Sequence, residues 1–174
     1  MYGETMRTMR LSFFFALFAC VCAFIAESHG ETDRGKTLTL YKEALALSAV
    51  NSSDKALKAM EQAIQANPGY PEAHEKYGYL LLEKGRTDEA IAAFTGALKG
   101  NPRFRSAQAG LGLALVRKGE IEKAEPILKE ALILNTDPAL AYYALGLIYE
   151  KRGEYQKAIL HFKEGLRKVK RDWR

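Results

Sequence analysis

The chain has 174 residues, 48% of them hydrophobic and 27% charged, with a formal net charge of +5. That is enough for one globular domain of ordinary composition. Both cysteines, Cys20 and Cys22, fall in one apolar stretch, which excludes an internal disulfide or a thiolate metal site in a domain built from the rest.

Arg7 and Arg10 precede Leu11 to Ala26, a stretch without a charge. A positive front, an apolar middle and small residues afterwards describe a secretory signal peptide over residues 1–30. Cleavage after Ser28 or Gly30 satisfies the small-x-small rule. Two other fates stay open. Uncleaved, the stretch is just short of the ~17–25 residues that span a bilayer, and would serve as a signal anchor. Leu17-Phe18-Ala19-Cys20 resembles a bacterial lipoprotein box, in which Cys20 is acylated. Against this, Phe18 is bulky for its place and Val21 to Ala26 stays apolar where a polar tether is usual. All three fates export the remainder, to the periplasm or beyond. Two of them hold it at a membrane, through residues 11–26 or a lipidated Cys20.

Residues 31–36 read as a short polar joint. Apolar spacings of three and four then predict helices over 37–49, 53–66, 71–83, 87–99, 105–117, 121–134, 139–151 and 155–171. Pro68 and Pro102 close two of the junctions, because proline pushes the residue before it out of helical geometry. At the third junction Thr136 stands where proline is expected, and Asp137 is placed to cap a helix that Pro138 begins. Pro126 is harmless if its helix starts late, near Glu122 or Lys123; otherwise it kinks that helix.

The predicted helices repeat every 34 positions. Gly78 is answered by Gly112 and Gly146, Gly85 by Gly119 and Gly153, and Ala90 by Ala124 and Ala158. Bulky residues keep the same interval: Tyr77, Leu111 and Leu145; Phe94, Leu128 and Phe162. A fourth, weaker copy precedes them, with Ala44, Ala56, Met60, Ala63 and Pro68 in register and Asn51 at the turn-glycine position. Asn tolerates a left-handed helix end next best after glycine. A fixed period of this length means stacked supersecondary units, here 37–70, 71–104, 105–138 and 139–172. Gly78 and Ala90 leave room for two backbones to cross closely, and no unit buries its apolar face alone, so the stack shares one elongated core.

These columns resemble the tetratricopeptide repeat family. The resemblance implies an all-α, right-handed superhelical solenoid of four helix-turn-helix repeats, about eight antiparallel helices, following the hydrophobic segment. It further implies that the first (A) helix of each unit lines a concave groove. The groove positions of interest are Tyr41, Leu45, Glu75, Tyr79, Leu82, Leu113, Val116, Arg117, Tyr143 and Leu147. Some family members grip a partner's terminal carboxylate with Lys, Asn and Arg at two groove columns. Here those columns read Tyr41/Leu45, Glu75/Tyr79, Ala109/Leu113 and Tyr143/Leu147, so that clamp is absent. A Tyr and Leu stripe suits a peptide strand or an amphipathic helix of a protein partner.

The charge surplus sits in residues 139–174, where nine basic residues outnumber four acidic ones. Arg167, Lys168, Lys170, Arg171 and Arg174 form its basic patch. Such cations complement a helix C-terminus; the alternative is a patch for anionic lipid or an acidic partner. The patch is short and has no interleaved aromatics, which argues against nucleic acid. No phosphate-binding loop or nucleophile motif occurs, and His29, His74 and His161 are scattered. The expectation is therefore a non-enzymatic interaction scaffold without cofactor or metal; its resemblance to tetratricopeptide proteins that help assemble bacterial envelope machines implies, by analogy, a role in an envelope complex such as a pilus, a secretion system or cytochrome maturation. The rivals are a self-associating structural protein, hence a homo-oligomer, and an accessory subunit of an enzyme complex.

Overall fold

The computed structural model describes residues 34–50, 52–133 and 138–169. These form eight helices. α1 covers 34–49, followed by α2 (Ser53–Ala66), α3 (Pro71–Glu83), α4 (Thr87–Gly100), α5 (Arg105–Lys118), α6 (Ile121–Ala131), α7 (Ala139–Lys151) and α8 (Tyr155–Val169). The predicted elements are all present, with ends shifted by a few residues. The joint at 31–36 is shorter than expected, because residues 34–36 already belong to α1. The signal segment, Asn51 and Asp137 lie outside the described residues.

The α3–α4, α5–α6 and α7–α8 hairpin turns are each built by a glycine. Gly85, Gly119 and Gly153 hold φ of +75°, +92° and +76°, the left-handed region that side chains with a Cβ avoid. The residue after each one donates its N–H back across the helix end: Arg86 to Leu81 O at 2.9 Å, Glu120 to Leu115 O at 2.9 Å and Glu154 to Tyr149 O at 2.8 Å. These bonds satisfy carbonyls that a helix end otherwise leaves open. The connections between hairpins use a different device. Asn67 and Asn101 take extended backbone, and each side-chain oxygen accepts the N–H two residues on, at 3.1 Å. The prolines that follow prevent the helix from continuing.

Two expectations about proline are corrected. Pro138 is the N-cap of α7, not its first helical residue. α6 does not start late: it begins at Ile121 and runs through Pro126, which therefore gives up one helical hydrogen bond. Pro126 is exposed, so the loss falls on the side where water replaces it. α6 ends at Ala131, earlier than expected.

Packing follows the small-against-bulky columns. Phe94 is fully buried, and its ring stands where a side chain on Gly78 or on Gly110 would have to be: a Cβ on Gly78 would lie 2.8 Å from it, and one on Gly110 closer still. Phe94 therefore locks α4 to α3 within its own unit and to α5 of the next. Leu128 fills the space over Gly112, and Phe162 that over Gly146. A continuous core runs from Ala56 to Ile148, and a smaller cluster around Ala44, Met60 and Ala73 ties in α1.

Consecutive A helices touch, α3 with α5 and α5 with α7, whereas α4, α6 and α8 make no comparable contact with one another among the described residues. The stack therefore curves with its A helices inside. Gly112→Leu should overpack the α5–α6 crossing by ~1–3 kcal/mol, lowering the melting temperature by several degrees. The exposed Lys99→Ala, on the last turn of α4, should shift it little, and thermal denaturation of both variants checks this.

Candidate functional site

The inner face is made by α1, α3, α5 and α7, and the structure divides the expected stripe. Glu75, Leu82, Leu113 and Val116 are only 3%, 4%, 5% and 1% exposed. They lie inside the array and offer no surface to a partner, a correction to the groove expected from sequence. The reason is geometric: where the A helices pack directly on one another, residues on their flanks meet the neighbouring unit instead of solvent. Glu75 is held there by Ser106, whose hydroxyl hydrogen-bonds its carboxylate, and by Lys76 at 3.4 Å.

Tyr79 is half-buried and structural as well. Its hydroxyl donates to Ser106 O at 3.0 Å, and its ring meets Phe94 edge-on at 5.0 Å. Tyr41 packs edge-on against Tyr70 at 5.4 Å. Arg117 does not reach into a groove for a partner: its guanidinium donates to Leu82 O at 2.9 Å, at the end of α3. Lys151 does the same one repeat later, to Val116 O at 3.1 Å. Cations thus complete the open C-terminal carbonyls of the preceding A helix, the end where positive charge is favoured.

Two depressions take in residues of the expected stripe. One, of about 190 Å³, lies between α1 and α3, where Leu45 and Tyr79 stand with Ser48, Met60, Lys76 and Glu83. Leu45 and Tyr79 are the two expected groove residues that the fold brings together. The other, of about 620 Å³, lies at the α7–α8 end of the array, lined by Leu140, Tyr143, Phe162, Leu166 and Val169 with Ala139 and Gly165 at its base. It is almost wholly apolar, and Tyr143 belongs to it. Leu147 is half-buried against the core. Of the basic patch, Arg167 and Lys168 occupy the last turn of α8, with Arg167 paired to Glu164 at 2.9 Å. Lys170, Arg171 and Arg174 lie outside the described residues.

His74 and His161 share no site. His74 bonds Pro68 O through Nε2 at 2.9 Å, buttressing a junction between hairpins. His161 stacks on Tyr149 at 5.0 Å, and burial, with Lys129 nearby, pushes its pKa down.

Sequence reasoning missed a ladder of ion pairs between units. Lys84 meets Asp54 at 2.6 Å, Lys118 meets Asp88 at 2.9 Å, and Arg152 meets Glu125 at 2.7 Å. The signal was present: Lys84, Lys118 and Arg152 share one column of the 34-residue period, and Asp54 and Asp88 share another.

Helical hairpins stacked on a small-residue period, with A helices inside the curve, define a solenoid interaction protein. Family models described as tetratricopeptide repeat match residues 41–103, 81–148 and 139–172. The chain belongs to the tetratricopeptide repeat family, which these matches follow from 41 to 172. It is similar to TTC0263, a thermophilic protein of that family from Thermus thermophilus, at 27% identity over 75% of this chain and 73% of that one, with a TM-score of 0.67. It also matches a crystal structure of MamA, at 23% identity over 82% and 83% of the two chains, with a TM-score of 0.66. A chain of the APC/C hetero-tetramer Cut9-Hcn1 matches at 24% identity with a TM-score of 0.72, over 78% of this chain and 26% of that one. No curated protein matches the sequence. These likenesses establish the right-handed superhelical solenoid.

The ladder has a pH signature. Hydrogen bonds from Lys129 and Arg152 hold the Glu125 carboxyl below the ordinary carboxylate range. Its contribution is present above the unfolded pKa, ~4.3, and is lost as pH falls through the lower folded value. Glu125→Gln should lower the melting temperature at neutral pH by about 2–4 °C, the size of a partly exposed pair. That difference should vanish toward pH ~3, which thermal melts across the range will show.

Proposed function

We propose that this protein is an exported, non-catalytic scaffold that holds a segment of a protein partner on its A-helix face. The segment enters at the cleft between α1 and α3. The observation that supports this is the makeup of that cleft: Leu45 and Tyr79 supply apolar contact, while Lys76 and Glu83 place both charges at its edge. A volume of about 190 Å³ suits one or two inserted side chains of an otherwise surface-lying strand or helix. Burial of apolar anchors inside a polar rim is how a small site gains affinity.

Export is inferred from the Arg7/Arg10 front and the uncharged stretch from Leu11 to Ala26. No helix among the described residues is long and apolar enough to cross a membrane; the membrane-held alternatives are an uncleaved Leu11 to Ala26 stretch and a lipidated Cys20. By analogy with exported proteins of this fold, the setting is assembly of an envelope complex.

Photo-crosslinking in the native envelope tests both parts together. A crosslinker replacing Leu45 or Glu83 should trap a distinct polypeptide, and one replacing the exposed Lys123 on α6 should not. Equal trapping from all three positions would remove the site from this cleft. Mass spectrometry of the same sample should find a chain starting near His29 or Glu31; an intact N-terminus or an acylated Cys20 would select the anchor or the lipoprotein instead.

A further inference from the structure

Two junctions between A helices are closed by a cation, and the first is not. Arg117 and Lys151 stand one period apart, in the last turns of α5 and α7. Each reaches back one unit, to a carbonyl in the last turn of the A helix before it: Arg117 to Leu82 O at 2.9 Å and Lys151 to Val116 O at 3.1 Å. Those carbonyls already accept the N–H of a turn glycine, from Gly85 at 3.2 Å and Gly119 at 3.1 Å. The cation takes the second lone pair, at a helix end that favours positive charge.

One period before Leu82 and Arg117 stand Ser48 and Glu83. The acceptor is kept, since Ser48 lies in the last turn of α1, but the donor has become a carboxylate, which cannot donate. Glu83 is itself exposed in the last turn of α3, the end that disfavours negative charge. The cations nearest to it in the chain and in the cleft are engaged elsewhere. Lys76 meets Glu75 at 3.4 Å, Lys84 meets Asp54 at 2.6 Å, and Arg117 is held by Leu82 O. Ser48 and Glu83 both line the 190 Å³ cleft, beside Leu45 and Tyr79. The cleft therefore lies where the next two junctions have a cation.

We propose that this cation comes from outside: the partner segment held in the α1–α3 cleft is basic, and inserts an arginine or lysine side chain between Ser48 O and Glu83. Its methylenes and an adjacent apolar residue then lie on Leu45 and Tyr79. A guanidinium suits the place best, because its planar fork can serve a carbonyl and a carboxylate at once. Lys76 is the like charge at the same edge, and its pairing with Glu75 offsets it. Glu83 is left as the uncompensated charge, which selects a basic segment over an acidic one. The inference rests on the cleft being the docking site, and adds the chemistry of what docks there.

The test is an NMR titration of the chain, purified as the cell processes it, with three probes. These are N-acetyl-leucyl-arginine amide, its uncharged citrulline counterpart and its glutamate counterpart. The arginine probe should shift the amide signals of Leu45, Ser48 and Glu83 saturably, and leave those of the remote Gly119 and Gly153 in place. Exchanging arginine for citrulline, or Glu83→Gln in the protein, should each weaken binding about three- to tenfold, the size of one charge-assisted bond at a partly exposed site. The glutamate probe should bind more weakly still. Glu83→Arg should supply the cation from within, so that the arginine probe no longer binds and the melting temperature rises. Equal responses to the arginine and citrulline probes overturn the inference while leaving the cleft as a docking site. A response that Glu83→Gln does not weaken overturns it too, and that near-isosteric variant keeps the test decisive if Glu83→Arg fails to fold. Silence from all three probes also overturns it, and crosslinking from Leu45 and Glu83 then decides separately whether a segment docks here.

Discussion

The structure depends on the meeting of a bulky side chain with a position that has none. Phe94 can be fully buried only because Gly78 and Gly110 leave its ring room on two helices at once. Leu128 over Gly112 and Phe162 over Gly146 repeat the arrangement. The contact is short-ranged and steep, so it fixes the distance between helix axes within a unit. At Phe94 it fixes the distance between units too. Curvature follows, because A helices pressed together at these crossings leave the B helices apart on the outside.

Electrostatics then specify what packing leaves loose. Cations of one column pair with carboxylates of the preceding unit, and Arg117 and Lys151 complete the helix ends behind them. Each exposed pair contributes little by itself; repeated at each junction, they favour one register over a slipped one.

The fold was legible in the sequence because its causes recur. A glycine at positive φ, such as Gly119, and a bulky residue such as Leu128 recur at the same place in the last three units, and a period makes each requirement visible several times. The binding surface was legible only in part. Leu45 and Tyr79 do share a cleft, but Leu113 and Val116 carry the same apolar character and are interior. Hydrophobicity alone does not distinguish a residue facing a partner from one facing the next repeat; that depends on how closely neighbouring A helices approach. The ion-pair ladder was recoverable from the period, since Lys84, Lys118 and Arg152 align. The open cleft at Leu166 and Val169 depends on which helix ends the described stack, which a repeat pattern does not reveal.

The central claim is that stability resides in the junctions around Phe94, shared between units, and not in the separate hairpins. Amide hydrogen exchange on the dilute chain tests it most directly, because it reads local opening helix by helix. Interior α3, α4 and α5 should exchange slowest, with protection declining toward α1 and α8, as expected for a one-dimensional array. Protection in α8 or α1 equal to that of α5, or hairpins that open independently with no gradient, would contradict the account.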